Sequence, residues 1–564
     1  MTEPARTSQY ALSPLQARAA ALDALGARRF DLLVIGGGVT GCAIARDAAM
    51  RGMSVALVER ADLASGTSSR SSRLVHGGLR YLEHGELPLV FESTRERRIL
   101  HRIAPHLVRP LRFVWPVYER ARIPRWKVGA GLFLYDALAL FRNLRSHRVL
   151  DADDVVALEP ALARDALEGG AEYYDAATDD ARLTVATARA AQSHGAVIVT
   201  HAAAATLHVE QGHVTGTTVH DAIGGRTVSA NARVVVNATG PWSDAVSRMA
   251  RTDLPPAVRG SMGTHIAVPR ERAGNVGALT ILSPDDARVM FILPAERFTI
   301  VGTTDTEYAG TADDVRATAD DIAYLLRAAN AYLPAADLTP DDVVSAWAGV
   351  RPLAAQPDGA PGELSREHAI TWIMPGLLSV TGGKLTTNRA MAAQVVDHAA
   401  RALRATRPAR APTWRTPLPG GEIASVAATI AAAAQATGAT DVATHLVHSY
   451  GSEWRAVWAL AARDRALAER LEPSLPYIAA ELRWGVEHEL ALTLGDLLIR
   501  RTHVAFETRD HGRAVAARAA QIIAPILGWD AAAIAAELAR YDAEVTEIFT
   551  VRAVAGSDAA ADRL

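Results

Sequence analysis

Apolar positions change their period along the chain and so mark out its elements. Residues 32–35 form a continuous apolar run of strand type, residues 42–51 carry apolar side chains at helical spacing, and residues 54–58 form a second apolar strand ending at Glu59. Helical spacing returns over residues 88–106, where Phe91, Ile99, Leu100 and Ile103 are the expected buried face and the arginines a solvated one. Short strand patterns follow at residues 196–200 and at the start of 234–242. Three more, at 264–268, 289–293 and 299–302, read together as an antiparallel sheet. Residues 378–389 again read strand, Gly-Gly turn, helix. Beyond about residue 410 the pattern is alanine-rich helix, which suits the residue of highest helix propensity.

Between the first strand and the first helix lie Gly36, Gly38 and Gly41, in the spacing G-x-G-x-x-G. Gly36 permits a tight turn, Gly38 lets a pyrophosphate approach the backbone, and Gly41 allows helix and strand to pack closely, with the helix N-terminus offering N–H groups to the anion. Glu59 follows at about the 20-residue distance where a carboxylate meets a ribose hydroxyl. Strand, glycines, helix, strand and acid in register predict a Rossmann-like dinucleotide site, without choosing between NAD and FAD. Residues 64–81, rich in Ser, Gly and Arg, offer many backbone and hydroxyl donors and favour an extended cofactor.

At 564 residues the chain is too long for one core and should divide into two or three domains. A net charge of −3 and a pI near 6.7 give no sequence-wide case for binding nucleic acid. The lone cysteine, Cys42, excludes an internal disulfide and an iron–sulfur cluster. Residues 1–29 lack the apolar core of a signal peptide and read as an amphipathic leader, and the most apolar extended window, 128–141, is too short to span a bilayer. Residues 109–148 mix eight or more basic side chains with aromatics, among them Arg120, Arg122, Arg125, Lys127, Trp126, Phe133 and Phe141. Such a mixture suits the headgroup boundary of a membrane, and equally a core segment with basic edges.

The segment TSSRSSRLVHGGLRYLE at residues 67–83, with NATGPW at 237–242, GVRPL at 349–353 and GGKLTT at 382–387, resembles the FAD-dependent glycerol-3-phosphate dehydrogenases. The resemblance covers about residues 30 to 550. It implies a Rossmann-like FAD-binding domain (30–245 and 340–405), an antiparallel-sheet substrate domain (246–339 with parts of 75–180) and a C-terminal helical cap (410–564). It further implies FAD contacts from Gly36, Gly38, Gly41, Glu59, Thr67, Ser68, Ser69, Ser72, His76, Gly77, Gly78, Ala238, Gly240, Gly383, Leu385 and Thr386, and no metal. For the phosphate of glycerol 3-phosphate it implies Arg80, Tyr81, Arg366 and Lys384. His265 is the implied base and Arg351 the cation beside the developing alkoxide.

Two positions depart from many relatives: Met262 replaces a lysine three residues before His265, which removes a positive charge that Arg259 could supply instead, and Asn388 replaces a tyrosine after GGKLTT. The electron acceptor must be external. In the family it is a membrane quinone, or oxygen in the oxidase branch, and residues 109–148 favour the quinone. The expected location is cytoplasmic, held peripherally on an anionic membrane surface; oligomeric state, a homodimer included, stays open. The alternatives are a glycerol-3-phosphate oxidase, a related FAD amine or amino-acid oxidase, and a non-catalytic nucleotide-binding protein.

Overall fold

The structure is a computed structural model that describes residues 12–354, 368–404 and 411–553. The first apolar run, Phe30–Ile35, is a central strand with a parallel neighbour on each side, Thr227–Asn237 and Val55–Val58. Val197–Val199 and Leu377–Thr381 extend this parallel sheet, and Ala369–Met374 pairs antiparallel at one edge. Both faces are covered, which is why the run is apolar without alternation. Helices Val39–Met50, Asp180–Ser193 and Asn388–Ala402 bury Ile44, Val185 and Val395 against one face. Against the other, helix Pro14–Ala27 buries Leu22 and Leu25 beside Phe30 and Val235. The stretch read as a leader is therefore, from Pro14, a docked helix.

A second sheet is organised on Val258–Pro269, which pairs antiparallel with Ser345–Ala354, Phe298–Gly302 and Thr306–Tyr308. Val289–Ala295, Ala278–Leu282, Val108–Tyr118, Leu167–Thr178 and Leu74–Val75 continue it, antiparallel except where Ala278–Leu282 meets Val108–Tyr118. Helix Ala319–Tyr332 covers one face through Ile322, Leu325 and Leu326.

Three expectations change here. Ser345–Ala354, with GVRPL, does not return to the nucleotide domain; it hydrogen-bonds along Val258–Pro269 and so sets Arg351 opposite Ser261. Val108–Tyr118 is an internal strand, with Phe113 stacked on Tyr173 at 5.0 Å, so about a quarter of the basic, aromatic stretch is core. Helix Leu87–Ile103 buries Ile99, Leu100 and Ile103 as expected but leaves Phe91 42% exposed, and its Arg97 is buried, bonding to Asp175 and to the Tyr135 hydroxyl.

The C-terminal helices, among them Thr440–Tyr450, Trp454–Arg463, Ala479–His488, Arg513–Leu527 and Ala531–Phe549, share one core with Trp347 and Phe113 of the second sheet. A π-helical turn, Asp496–Arg501, ties them to the nucleotide domain through Arg500 and Arg501, both bonded to Asp62.

Candidate functional site

A cavity of about 560 Å³ runs between the two sheets, from Gly36 and Glu59, past Thr67, Ser68, Ala238 and Gly240, to His265, Arg351, Lys384, Leu385 and Thr386. Its narrow end is made by backbone. Gly36 has φ +112°, and a Cβ there would stand 2.7 Å from the Ala238 carbonyl; a Cβ on Gly41 would stand 1.9 Å from the Gly36 oxygen. Gly38 caps helix Val39–Met50, whose Val39 N–H donates to Ser68 Oγ at 3.0 Å. A hydroxyl oxygen thus already occupies the acceptor position that a phosphate oxygen would take. Glu59 accepts from the N–H groups of Gly37 (2.6 Å) and Ala61 (2.9 Å), and burial pushes its carboxyl above the usual range. Each of its oxygens keeps a lone pair for a ribose hydroxyl.

The serine loop bridges the two sheets. Thr67 Oγ1 donates to the Val350 carbonyl at 2.7 Å, the Ser71 hydroxyl to Asp180 at 2.6 Å, and Ser72 Oγ meets His265 Nε2 at 2.8 Å. Ser69 is buried, off the cavity wall, with its hydroxyl on Gly66. The HGG turn is set from behind: Gly77 N–H donates to Asp175, and Gly78, at φ +82°, passes so close to Tyr81 that a Cβ would stand 2.3 Å from its ring. The His76 carbonyl accepts from Thr386 Oγ1, joining this turn to GGKLTT. Gly383, at φ +90°, leaves a Cβ no room beside Met391.

At the far end Lys384 Nζ lies 3.5 Å from the centre of the Tyr81 ring, and both line the cavity. Arg80 belongs to the turn Leu79–His84, but its side chain lies outside the described residues, as does the whole of Arg366. Arg351 bonds to Ser261 Oγ and Asp305 Oδ1, each at 3.2 Å, and to Thr303 Oγ1 at 3.0 Å. No motif marked Asp305, because its loop joins Arg351 only across the sheet. His265 is 2% exposed, stacks on Trp347 at 5.5 Å, and is pushed down to about 3 by burial and by the guanidiniums of Arg351 and Arg73. The expected base is therefore a neutral imidazole before substrate arrives. Burial is the larger cause and the two guanidiniums add to it; a dianion arriving in the cavity opposes their part.

The departures fall away from the cavity. Met262 is buried in an apolar cluster with Val315, Ala348 and Val350, so no charge is lost from the wall; Arg259 is exposed and not on that wall. Asn388 is buried, its Nδ2 donating to the Leu385 carbonyl. Sequence reading missed Trp115, Tyr173, Thr280 and Phe291, which wall the substrate end from strands far apart in the chain. Alternation alone places them inward without saying which inward face is the cavity.

Residues 31–389 match the family model described as FAD dependent oxidoreductase, and residues 411–534 match that of the C-terminal domain of alpha-glycerophosphate oxidase. Glycerol-3-phosphate dehydrogenase of Mycobacterium leprae is 40% identical over 541 residues, which span 95% of this chain and 91% of that one. The chain belongs to the FAD-dependent glycerol-3-phosphate dehydrogenase family. Glycerol-3-phosphate dehydrogenase 2 of Mycobacterium tuberculosis is 41% identical over 542 residues, again 95% and 91% of the two chains. The crystal structure of the glycerol-3-phosphate dehydrogenase from Bacillus halodurans complexed with FAD superposes with a TM-score of 0.78 at 30% identity, over 96% of this chain and all of that one. The glycine cradle fits the family's cofactor: backbone approaches at Gly36 and Gly41 that no side chain could share, at one end of a cavity lined from there to His265 and Lys384.

Proposed function

We propose that the protein oxidises sn-glycerol 3-phosphate to dihydroxyacetone phosphate and passes the electrons to a quinone at a membrane surface. The observation that carries this reading is the meeting, in one cavity beside the glycine cradle, of a cation and a neutral imidazole: Lys384 against Tyr81, and His265 next to Arg351. Lys384 anchors the dianionic phosphate through a charge-assisted bond, with Arg80 and Arg366 as its partners by family resemblance. Arg351, held by Ser261, Asp305 and Thr303, faces the hydroxyl that becomes an alkoxide. His265, neutral before substrate arrives, takes the hydroxyl proton. Bound FAD supplies the hydride acceptor, and Gly36, Gly38, Gly41, Glu59, Thr67, Ser68, Ala238 and Gly240 would hold it.

Among the described residues no helix is long and apolar enough to cross a membrane. Support for peripheral attachment narrows to helix Arg125–Leu138 and its flanks. Trp126 is 74% exposed, Phe133 59% and Phe141 63%, with Leu140 exposed beside them, Leu87 and Phe91 exposed on helix Leu87–Ile103, which packs against this one, and Lys127, Arg142 and Arg145 solvated among them. Apolar side chains enter the headgroup layer while the basic ones meet anionic lipid.

Anaerobic mixing of the purified yellow protein with glycerol 3-phosphate tests the chemistry: the flavin absorbance should bleach, glycerol should bleach it far more slowly, and an amino acid should leave it coloured. Bleaching by an amino acid, or none by glycerol 3-phosphate, overturns the reading. Sedimentation with anionic vesicles tests the attachment. A Trp126→Ser, Phe133→Ser, Phe141→Ser variant should bind less and reduce embedded quinone more slowly, and equal partitioning of the two proteins would remove this surface from the proposal.

A further inference from the structure

Behind His265 lies a second, smaller chamber of about 90 Å³ that the reaction as described does not use. Ser72 and Leu74 belong to the walls of both spaces, so the Ser72 hydroxyl, 2.8 Å from His265 Nε2, stands between the substrate cavity and this chamber. Nearly half of the chamber wall is polar, and the polar groups come from all three parts of the protein: Arg73 and Asp179 from the nucleotide side, Arg109 and Glu296 from the second sheet, and His445, His448, His503 and Glu507 from the helical cap. His106, fully buried, adds two ring nitrogens with no protein partner. A space of this volume with polar groups to bond takes about three waters. Glu296, at its rim, is exposed, whereas Ser72 at its inner end is not.

We propose that this chamber is the exit for the proton taken from the substrate hydroxyl, with Ser72 as its inner relay and the Glu507 carboxylate as its first titrating acceptor. The inference rests on His265 being the base. The substrate O–H bond breaks and its proton joins His265, while the electrons leave from carbon as hydride to the bound flavin. An imidazolium carries a proton on each nitrogen, so the Nε2–H can pass to Ser72 Oγ as the original Ser72 proton moves to a chamber water. From there the proton reaches Glu507 and leaves past Glu296, and the ring is neutral again. No other oxidant or proton donor is needed.

The charged groups on the path suit the direction. Burial, with Arg351 and Arg73, disfavours an imidazolium at His265, so the ring gives up its proton readily. Glu507 is raised to about 7, chiefly by burial and also by Glu296, while His503, Arg73 and the Tyr477 hydroxyl, 3.0 Å away, act against the rise. His503 is itself held between Arg73 (3.0 Å) and Asp179 (2.7 Å). A carboxylate with that poise accepts a proton near neutral pH and returns it to solvent.

The test is stopped-flow reduction of the flavin in the holoenzyme by glycerol 3-phosphate, from about pH 5.5 to about pH 9 in H₂O and D₂O mixtures. In the wild type the rate should rise with pH through about 7, as Glu507 ionises, and its dependence on deuterium content should be curved, reporting several protons in flight. Glu507→Gln, which can still accept from Tyr477, should lose that rise and slow on the order of tenfold, with acetate or azide restoring the rate. Ser72→Ala should slow similarly and give a linear deuterium dependence, while Ser72→Thr should recover much of the rate. His265→Asn separates this proposal from the reading beneath it. Normal reduction in that variant means the base is elsewhere. A slow His265→Asn beside a Glu507→Gln protein with the wild-type pH profile and isotope effect means that the base stands and the exit fails. A linear deuterium dependence in the wild type overturns the relay even if no variant folds.

Discussion

Arg351 and Arg501 are both ion-paired arginines lining the junctions between domains, yet they are held in opposite ways. Arg501 and its partner Asp62 have no exposed side-chain surface; the guanidinium forks onto both carboxylate oxygens at 2.7 and 2.9 Å, and Arg500, bonded also to Asp496 and Glu544, shares the same acid. Arg351 and Asp305 keep 22% and 29% of their side-chain surface exposed and meet at 3.2 Å, with Arg351 on the cavity wall. The first arrangement is a clamp: a dry pair whose members cannot lose each other without stranding a charge. The second leaves a partly exposed cation on the cavity wall, where a substrate oxygen can come.

The largest effect should come from opening the clamp. Asp62→Ala takes the carboxylate from the buried Arg501 guanidinium, while Arg500 keeps Asp496 and Glu544, and should cost about 3–5 kcal/mol in denaturant unfolding, with the flavin-reduction rate per folded molecule keeping its scale. A loss of rate with unchanged stability would make Asp62 part of the site. Next is Lys384→Ala, which removes a charge-assisted bond of about 1.5–3 kcal/mol; kcat/KM for glycerol 3-phosphate should fall about ten- to a hundredfold and that for glycerol far less. Equal losses on both substrates would place Lys384 elsewhere in the mechanism.

The histidines of the two regions should respond to pH with opposite sign. In the clamp, burial opposes the charge on His201 but Asp496, 3.0 Å away, outweighs it and raises the imidazole above 6.5. Its contribution is complete below 6.5 and is lost as pH rises through the folded value. His265, lowered from 6.5 to about 3, contributes fully above 6.5 and loses that stability as pH falls toward 3. Each contribution should have a slope of about 1.4 kcal/mol per pH unit. His106 and His448 are lowered as His265 is, and His445 is raised as His201 is, so His265→Asn should take one proton's share from the acid limb and His201→Asn one from the alkaline limb; the reverse result would invert the electrostatic picture. The smallest effect should be Asp305→Asn, which removes a partly solvated pair and should cost under about 1 kcal/mol. A cost like that of Asp62→Ala would show that both arginines are clamped alike.

The dinucleotide end was legible because its determinants are local. Gly36, Gly38, Gly41 and Glu59 lie on one strand–turn–helix–strand unit, so spacing alone fixes which backbone groups converge. The motifs that resembled a family also located His265, Arg351, Tyr81 and Lys384, and the fold brings all four to one cavity. Burial was harder to read: Arg97 and Phe91 exchanged their expected faces, because Asp175 and Tyr135, distant in sequence, supply the partners that let an arginine go inside.

By itself, then, the sequence determined the order of elements, the glycine cradle and the residue types the chemistry needs, since these depend on neighbours within a few tens of positions. Only the tertiary structure decided that GVRPL pairs with Val258–Pro269, that Asp62 meets Arg501, and that Ser72 divides two cavities. Strand pairing and ion pairing across hundreds of residues follow from which surfaces can be buried together without an unmatched charge or backbone group, a condition on the whole chain that no segment carries.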